Sequence, residues 1–201
     1  MSTSKSGSPS KLSFVNGEGY FKDVKWDDMR FPVVGRNLDT TSGRIDYNYT
    51  ELGVDFADNA RFAETEQISI ICQLQHDYEL GTDVDPHIHW LQSSADMPNW
   101  LLQYRVYNNG ETPGAWQTVK WLDNKFTYTS GTILQITDFP DIDMSSIDGV
   151  SSFIDFKLFR DTLNTSTLFD GADPLTGTAL LKEFDIHYRR DASGSTMEYL
   201  K

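Results

Sequence analysis

From Trp26 onward, apolar and polar residues alternate along much of the chain. In the segment 67–75, Ile68, Ile70, Cys72 and Leu74 share one face, and in 100–107 Trp100, Leu102, Tyr104 and Val106 do the same. In 153–159 the inward set is Ile154, Phe156 and Leu158. In 180–188 it is Phe184, Ile186 and Tyr188, with Glu183, Asp185 and His187 opposite. A period of two belongs to a half-buried strand, because successive side chains leave a pleated backbone on opposite sides. Further strands are predicted over 45–49, 86–90, 116–121 and 132–136. Turn residues punctuate them. Asn108-Asn109-Gly110 and Pro113-Gly114 mark a long hairpin, Asp123-Asn124 and Phe139-Pro140-Asp141 mark further reversals, and 145–148 reads as one helical turn. No long segment carries a 3.6-residue period and no internal repeat is visible. Many short strands joined by Gly, Pro and Asn loops predict an all-β fold, a β-sandwich or jelly roll.

The 201 residues suit one domain. Residues 1–20, rich in Ser, Gly and Lys, read as an N-terminal arm, its first ten or so flexible, and 21–201 as a single β-sandwich domain. Asp and Glu number 30 against 17 Lys and Arg, a net charge of -13. That excess argues against nucleic acid or an anionic membrane as partner, since both need clustered cations. No apolar run is long enough for a membrane span, and none follows the N-terminus as a secretory signal would. The lone Cys72 lies in the apolar run QISIICQL and is expected to be a buried, inert thiol in a protein made without disulfides.

Candidate chemistry centres on Asp85-Pro86-His87-Ile88-His89-Trp90. On a strand His87 and His89 point one way, while Ile88 and Trp90 point into the core. Their Cα atoms would lie about 6.5–7 Å apart, so both imidazoles can reach one ion. With His187 they form the candidate metal ligands, for zinc or iron, and His76 is a further imidazole. A cupin-type site would also place a carboxylate about four residues after the pair, but here Trp90-Leu91-Gln92-Ser93-Ser94 follows. Hydrogen-bonded structural or interface histidines are the alternative. The pairs Asp83/Asp85, Asp141/Asp143 and Asp170/Asp173 fit solvated loops, and none follows the EF-hand pattern. Trp116 and Trp121 are candidate sugar-binding residues: five positions apart, they face opposite sides of an unbroken strand, which leaves one exposed. Packing is their alternative role. No nucleophile-elbow, P-loop or H-E-x-x-H pattern occurs, so no catalytic residue and no cofactor is assigned.

Three stretches together carry a resemblance. They are Trp26-Asp27-Asp28-Met29-Arg30-Phe31-Pro32; the run from Gln75-His76 through Gly81-Thr82-Asp83 to Pro86-His87-Ile88-His89-Trp90; and Leu158-Phe159-Arg160-Asp161 followed by Leu180 to Tyr188, Gly194-Ser195 and Glu198-Tyr199. In these the chain resembles a family of tailed-bacteriophage and viral-metagenome virion-associated proteins. The resemblance implies a non-enzymatic structural protein on the particle surface, as capsid decoration, head fibre or tail component. It implies a homotrimer whose partners are its own copies and other virion proteins, assembled in the bacterial cytoplasm. The alternatives are a receptor-recognition module of a phage tail that binds a host surface glycan, and a metal-dependent cupin-like enzyme. A trimer of so acidic a chain needs a contact face lean in acids. The second face of 153–159, with Phe153 and Phe159 and a possible Asp155–Lys157 charge pair, is the candidate.

Overall fold

The computed structural model describes residues 11–15, 18–22, 25–32, 45–48, 53–56, 66–162, 164, 166–176 and 179–190. Among these residues the chain is all-β with no helix. The strands are β1 (Lys11–Val15), β2 (Glu18–Lys22), β3 (Lys25–Pro32), β4 (Ile45–Asn48), β5 (Gly53–Phe56), β6 (Glu66–Gln73) and β7 (Asp85–Gln92). Then come β8 (Trp100–Tyr107), β9 (Gln117–Lys120), β10 (Asp123–Asn124), β11 (Ile133–Asp138), β12 (Phe153–Arg160) and β13 (Ala179–Arg190). β1 and β2 pair as a separate hairpin that runs from the segment read as an arm to Lys22, two residues past its expected end; the first ten residues lie outside the described ones.

Two larger antiparallel sheets stack in a sandwich-like arrangement. One runs β10-β11-β7-β13-β5-β4, with β3 also on β13; the other runs β6-β12-β8-β9. β13 has twelve residues, and β7 takes one of its edges. The other edge is shared end to end by β5, opposite Ala179–Leu181, and β3, opposite Glu183–Arg190.

The core between the sheets is built from the alternating residues. Ile68, Ile70, Cys72, Trp100, Leu102, Ile154, Phe156 and Leu158 come from the smaller sheet, and Ile88, Trp90, Leu181, Phe184, Ile186 and Tyr188 from the larger. Phe156 meets Phe184 across the layers with ring centroids 4.9 Å apart, and Trp90 meets the edge of Trp100 at 5.9 Å. The Trp90 indole N–H donates to Thr137 Oγ1 at 2.8 Å, which explains a buried threonine on β11: an indole taken from water needs an acceptor. Burial pushes the Cys72 thiol up to about 12, so it is inert as expected.

Where the structure departs from simple alternation, the causes are local. Lys182 is the extra residue of a β-bulge, because the β7–β13 register shifts between Leu181 and Glu183. The bulge lets Leu181 and Phe184, three positions apart, both face the core. The segment 116–121 shortens to β9, leaving both tryptophans outside the strand. Asp123-Asn124, expected only as a reversal, pairs with Asp138 and Thr137 as β10. The 145–148 segment is a turn, closed by the Ile147 N–H on the Met144 carbonyl at 3.0 Å. The hairpin signal is met: β8 pairs with β9, and Gly110 in the connecting turn adopts φ 83°, open to glycine at no steric cost.

Phe184 is fully buried at the meeting of the layers. Phe184→Ala is expected to cost about 3–5 kcal/mol in urea denaturation; a loss below about 1 kcal/mol would contradict a core centred there.

Candidate functional site

The same pairing that buries Ile88 and Phe184 places their neighbours on the outer face of the larger sheet. The register sets Asp138 opposite His87, His87 opposite Asp185, and Asp185 opposite Arg30. One row over, Asp85 faces His187, and His187 faces Asp28. On the other side Ile136 faces His89, and His89 faces Glu183. The outer face is thus a lattice in which acids and bases alternate across the strands, an arrangement that cross-strand charge pairing favours. Apart from Glu183, these side chains line an open cleft of about 450 Å³ together with Lys125, which pairs with Asp138.

His87, His89 and His187 converge. The His87 ring lies 5.1 Å from that of His89 and 4.3 Å from that of His187, centroid to centroid. The donor atoms that gather most closely are those of His87, His89 and Asp185, all within 4.8 Å of one another. His187 is engaged elsewhere: its Nε2 lies 3.0 Å from Asp28 Oδ1, and its Nδ1 lies 3.8 Å from Asp85. Asp185 is buried, and its Oδ1 accepts the Ile186 backbone N–H at 3.0 Å. Its Oδ2 faces His87 Nε2 at 3.6 Å, Arg30 Nε at 3.7 Å and His89 Nε2 at 3.8 Å. Each of these distances is beyond hydrogen-bond reach. His89 Nε2 is itself buried without a hydrogen-bond partner. The fourth histidine, His76, lies apart and bonds Ser151 Oγ at 2.8 Å.

Sequence reading found the three imidazoles and missed Asp185, Asp28, Arg30 and Lys125. Alternation does put Asp185 on the polar face with His187. Nothing in the local sequence says that this face lies beside His87, because the two strands are joined only by register. A cupin-type site takes its carboxylate from about four residues downstream of the histidine pair, whereas here the nearby carboxylate, Asp185, comes from the neighbouring strand.

The tryptophans take different surroundings. Trp121 packs against the core. Trp116 lies on the outer face of the smaller sheet, with the Arg105 guanidinium 4.5 Å and the Lys157 ammonium 4.3 Å from its ring centroid. Both are cation–π contacts, which hold the Trp116 ring against the sheet. The Asp155–Lys157 pair gives way to cross-strand contacts. Asp155 takes Arg105 at 2.6 and 2.8 Å and the Tyr107 hydroxyl at 3.0 Å, and Lys157 turns to Trp116. Side chains two apart on a strand share a face, but the residue directly opposite on the next strand is nearer. Among the aspartate pairs, Asp83, Asp85 and Asp141 line a second hollow of about 390 Å³ beside the mutual Val84–Ile142 bridge.

Comparison of the chain with family models, with curated proteins and with solved structures yields no match in any of the three.

The two neighbouring imidazoles differ in basicity. Burial, reinforced by the nearby His187 and His89, pushes His87 down to about 4 from the ordinary 6.5. Asp85 and Asp28, one on either side, hold His187 above that value. His87 therefore favours folding above pH 6.5, and its contribution is lost as pH falls toward 4. His187 acts in the opposite sense: its contribution is full below 6.5 and fades as pH rises through its folded pKa. In chelator-treated protein, an NMR titration of the ring protons should show His187 protonating before His87 as pH falls. The reverse order would refute these surroundings.

Proposed function

We propose that the chain is a non-enzymatic structural subunit of jelly-roll type on the surface of a bacteriophage particle, associating with its own copies as a homotrimer. The three stretches that carry the resemblance support the viral setting. The observation that carries the assembly role is the outer face of the smaller sheet. Ile71 stands 67% exposed there, and the Phe153 and Tyr107 rings stack at 5.9 Å. The charges of that face are met within the chain, Asp155 by Arg105 and Lys157 by the Trp116 ring. In a chain of net charge -13, such a face can be covered by another copy without bringing unpaired acids together. Its apolar groups supply the driving force.

A glycan-binding role in a phage tail has one observation in its favour. A cleft of about 460 Å³ on the same outer face joins apolar Leu101, Phe159 and Leu168 to polar Gln103, Thr118 and Ser166. An apolar floor beside hydroxyl and amide groups suits a sugar ring. Binding on a glycan array that is lost in Phe159→Ala would favour this role, and silence across a broad array would count against it.

For the assembly role, light scattering of the full chain should give three times the monomer mass. Ile71→Glu should weaken association by about tenfold or more, as expected for a central apolar contact. A strict monomer, or an oligomer indifferent to Ile71→Glu and Phe153→Ser together, would overturn it.

A further inference from the structure

We propose that His87 Nε2, His89 Nε2 and Asp185 Oδ2 hold one divalent first-row transition ion, best matched by zinc, that links β7 to β13. This goes beyond the assembly role and stands whether or not the chain joins a particle.

Geometry is the first support. In a tetrahedral zinc site, nitrogen and oxygen ligands at about 2.0–2.2 Å lie roughly 3.3–3.5 Å from one another. Asp185 Oδ2 is already 3.6 Å from His87 Nε2 and 3.8 Å from His89 Nε2. Those separations are too long for hydrogen bonds and close to ligand–ligand edges. The three atoms fit within 4.8 Å, so closure on an ion asks only for modest ring rotation.

Polar satisfaction is the second. The Asp185 side chain is 2% exposed and that of His87 is 4% exposed. The Nε2 of His89 is buried without a hydrogen-bond partner, and a buried polar atom left so is costly. One ion would give that nitrogen a partner and draw Asp185 Oδ2 and His87 Nε2 onto the same centre. Oδ1 of Asp185 is held by the Ile186 N–H, which leaves Oδ2 as a single, oriented donor. Two imidazoles among three donors select zinc or a neighbouring transition ion over calcium or magnesium, which prefer all-oxygen shells.

The surroundings fit a supporting shell. His187 sits 4.3 Å from the His87 ring and is fixed by Asp28 and Asp85, so it buttresses the ligand ring. The Arg30 guanidinium, 3.7 Å from Asp185 Oδ2, would oppose the ion, but its side chain is 62% exposed and can move into solvent. The remaining coordination position opens on the cleft.

The test uses the full chain, stripped with chelator and dialysed. Titration with cobalt(II) should produce visible d–d absorption that saturates at one equivalent and is reversed by zinc. Asp185→Asn and His89→Gln should each weaken cobalt binding by about tenfold or more, while His76→Gln, away from the cluster, should leave it unchanged. The absence of saturable binding, or affinity retained in Asp185→Asn, would overturn the proposal. Should either variant fail to fold, the wild-type melting temperature decides: zinc should raise it where magnesium does not. Equal behaviour with the two ions would also overturn it.

Discussion

The antiparallel register of β7 on β13 is the constraint on which the rest depends. It sets Ile88 opposite Phe184 on the inner face and His87 opposite Asp185 on the outer one. A slip of one residue would send every side chain of a strand to the other face. It would turn Ile88 and Trp90, both fully buried, toward water and bring two imidazoles into the core. Burying each large apolar side chain is worth roughly 1.5–3 kcal/mol, whereas an exposed cross-strand charge pair is worth about 0.2–1 kcal/mol. The apolar half of each strand therefore selects the register, and the polar half is carried into place by it. The bulge at Lys182 belongs to the same solution, because it restores Leu181 to the core at the end of the pairing.

The two outer faces spend charge differently. On the larger sheet, acids and bases alternate across β11, β7, β13 and β3, and the centre of that lattice sinks out of solvent. Burial there leaves Asp185 above the ordinary carboxylate range, an effect that the nearby Asp28 reinforces and the Ile186 N–H opposes. On the smaller sheet, Arg105 and Lys157 lie against the Trp116 ring, and exposed apolar groups such as Ile71 and the stacked Phe153 and Tyr107 share the face with uncharged polar residues. A fully buried Arg160 closes the far end of β12, where it donates to Asp173 Oδ2 at 2.7 Å and to the Leu175 carbonyl. That pair ties the 170s loop to the sandwich.

These contrasts bear on function. A buried polar cluster bridging the two central strands suits a cross-link that stiffens the larger sheet. The opposite face suits contact with another copy. The two roles use separate surfaces and do not compete for residues. The proposed ion would add a local bond between β7 and β13 without altering the face on the smaller sheet.

By itself the sequence determined the all-β class, most of the strands from 66 onward, the inward set of each, the buried thiol and the shared face of His87 and His89. All of these follow from one local rule, that side chains alternate about an extended backbone, so a short window of residues contains the information. The short β10, the bulge at Lys182 and the shortening of β9 escape that rule because partner strands impose them. Only the tertiary structure decided that Asp185 stands beside His87, that Asp155 goes to Arg105 instead of Lys157, and that Trp121 packs while Trp116 is covered by cations. Those are contacts between strands distant in the chain. Their neighbours are set by which strands pair and in what register, and that choice is made by the summed burial of the core, which no single segment carries.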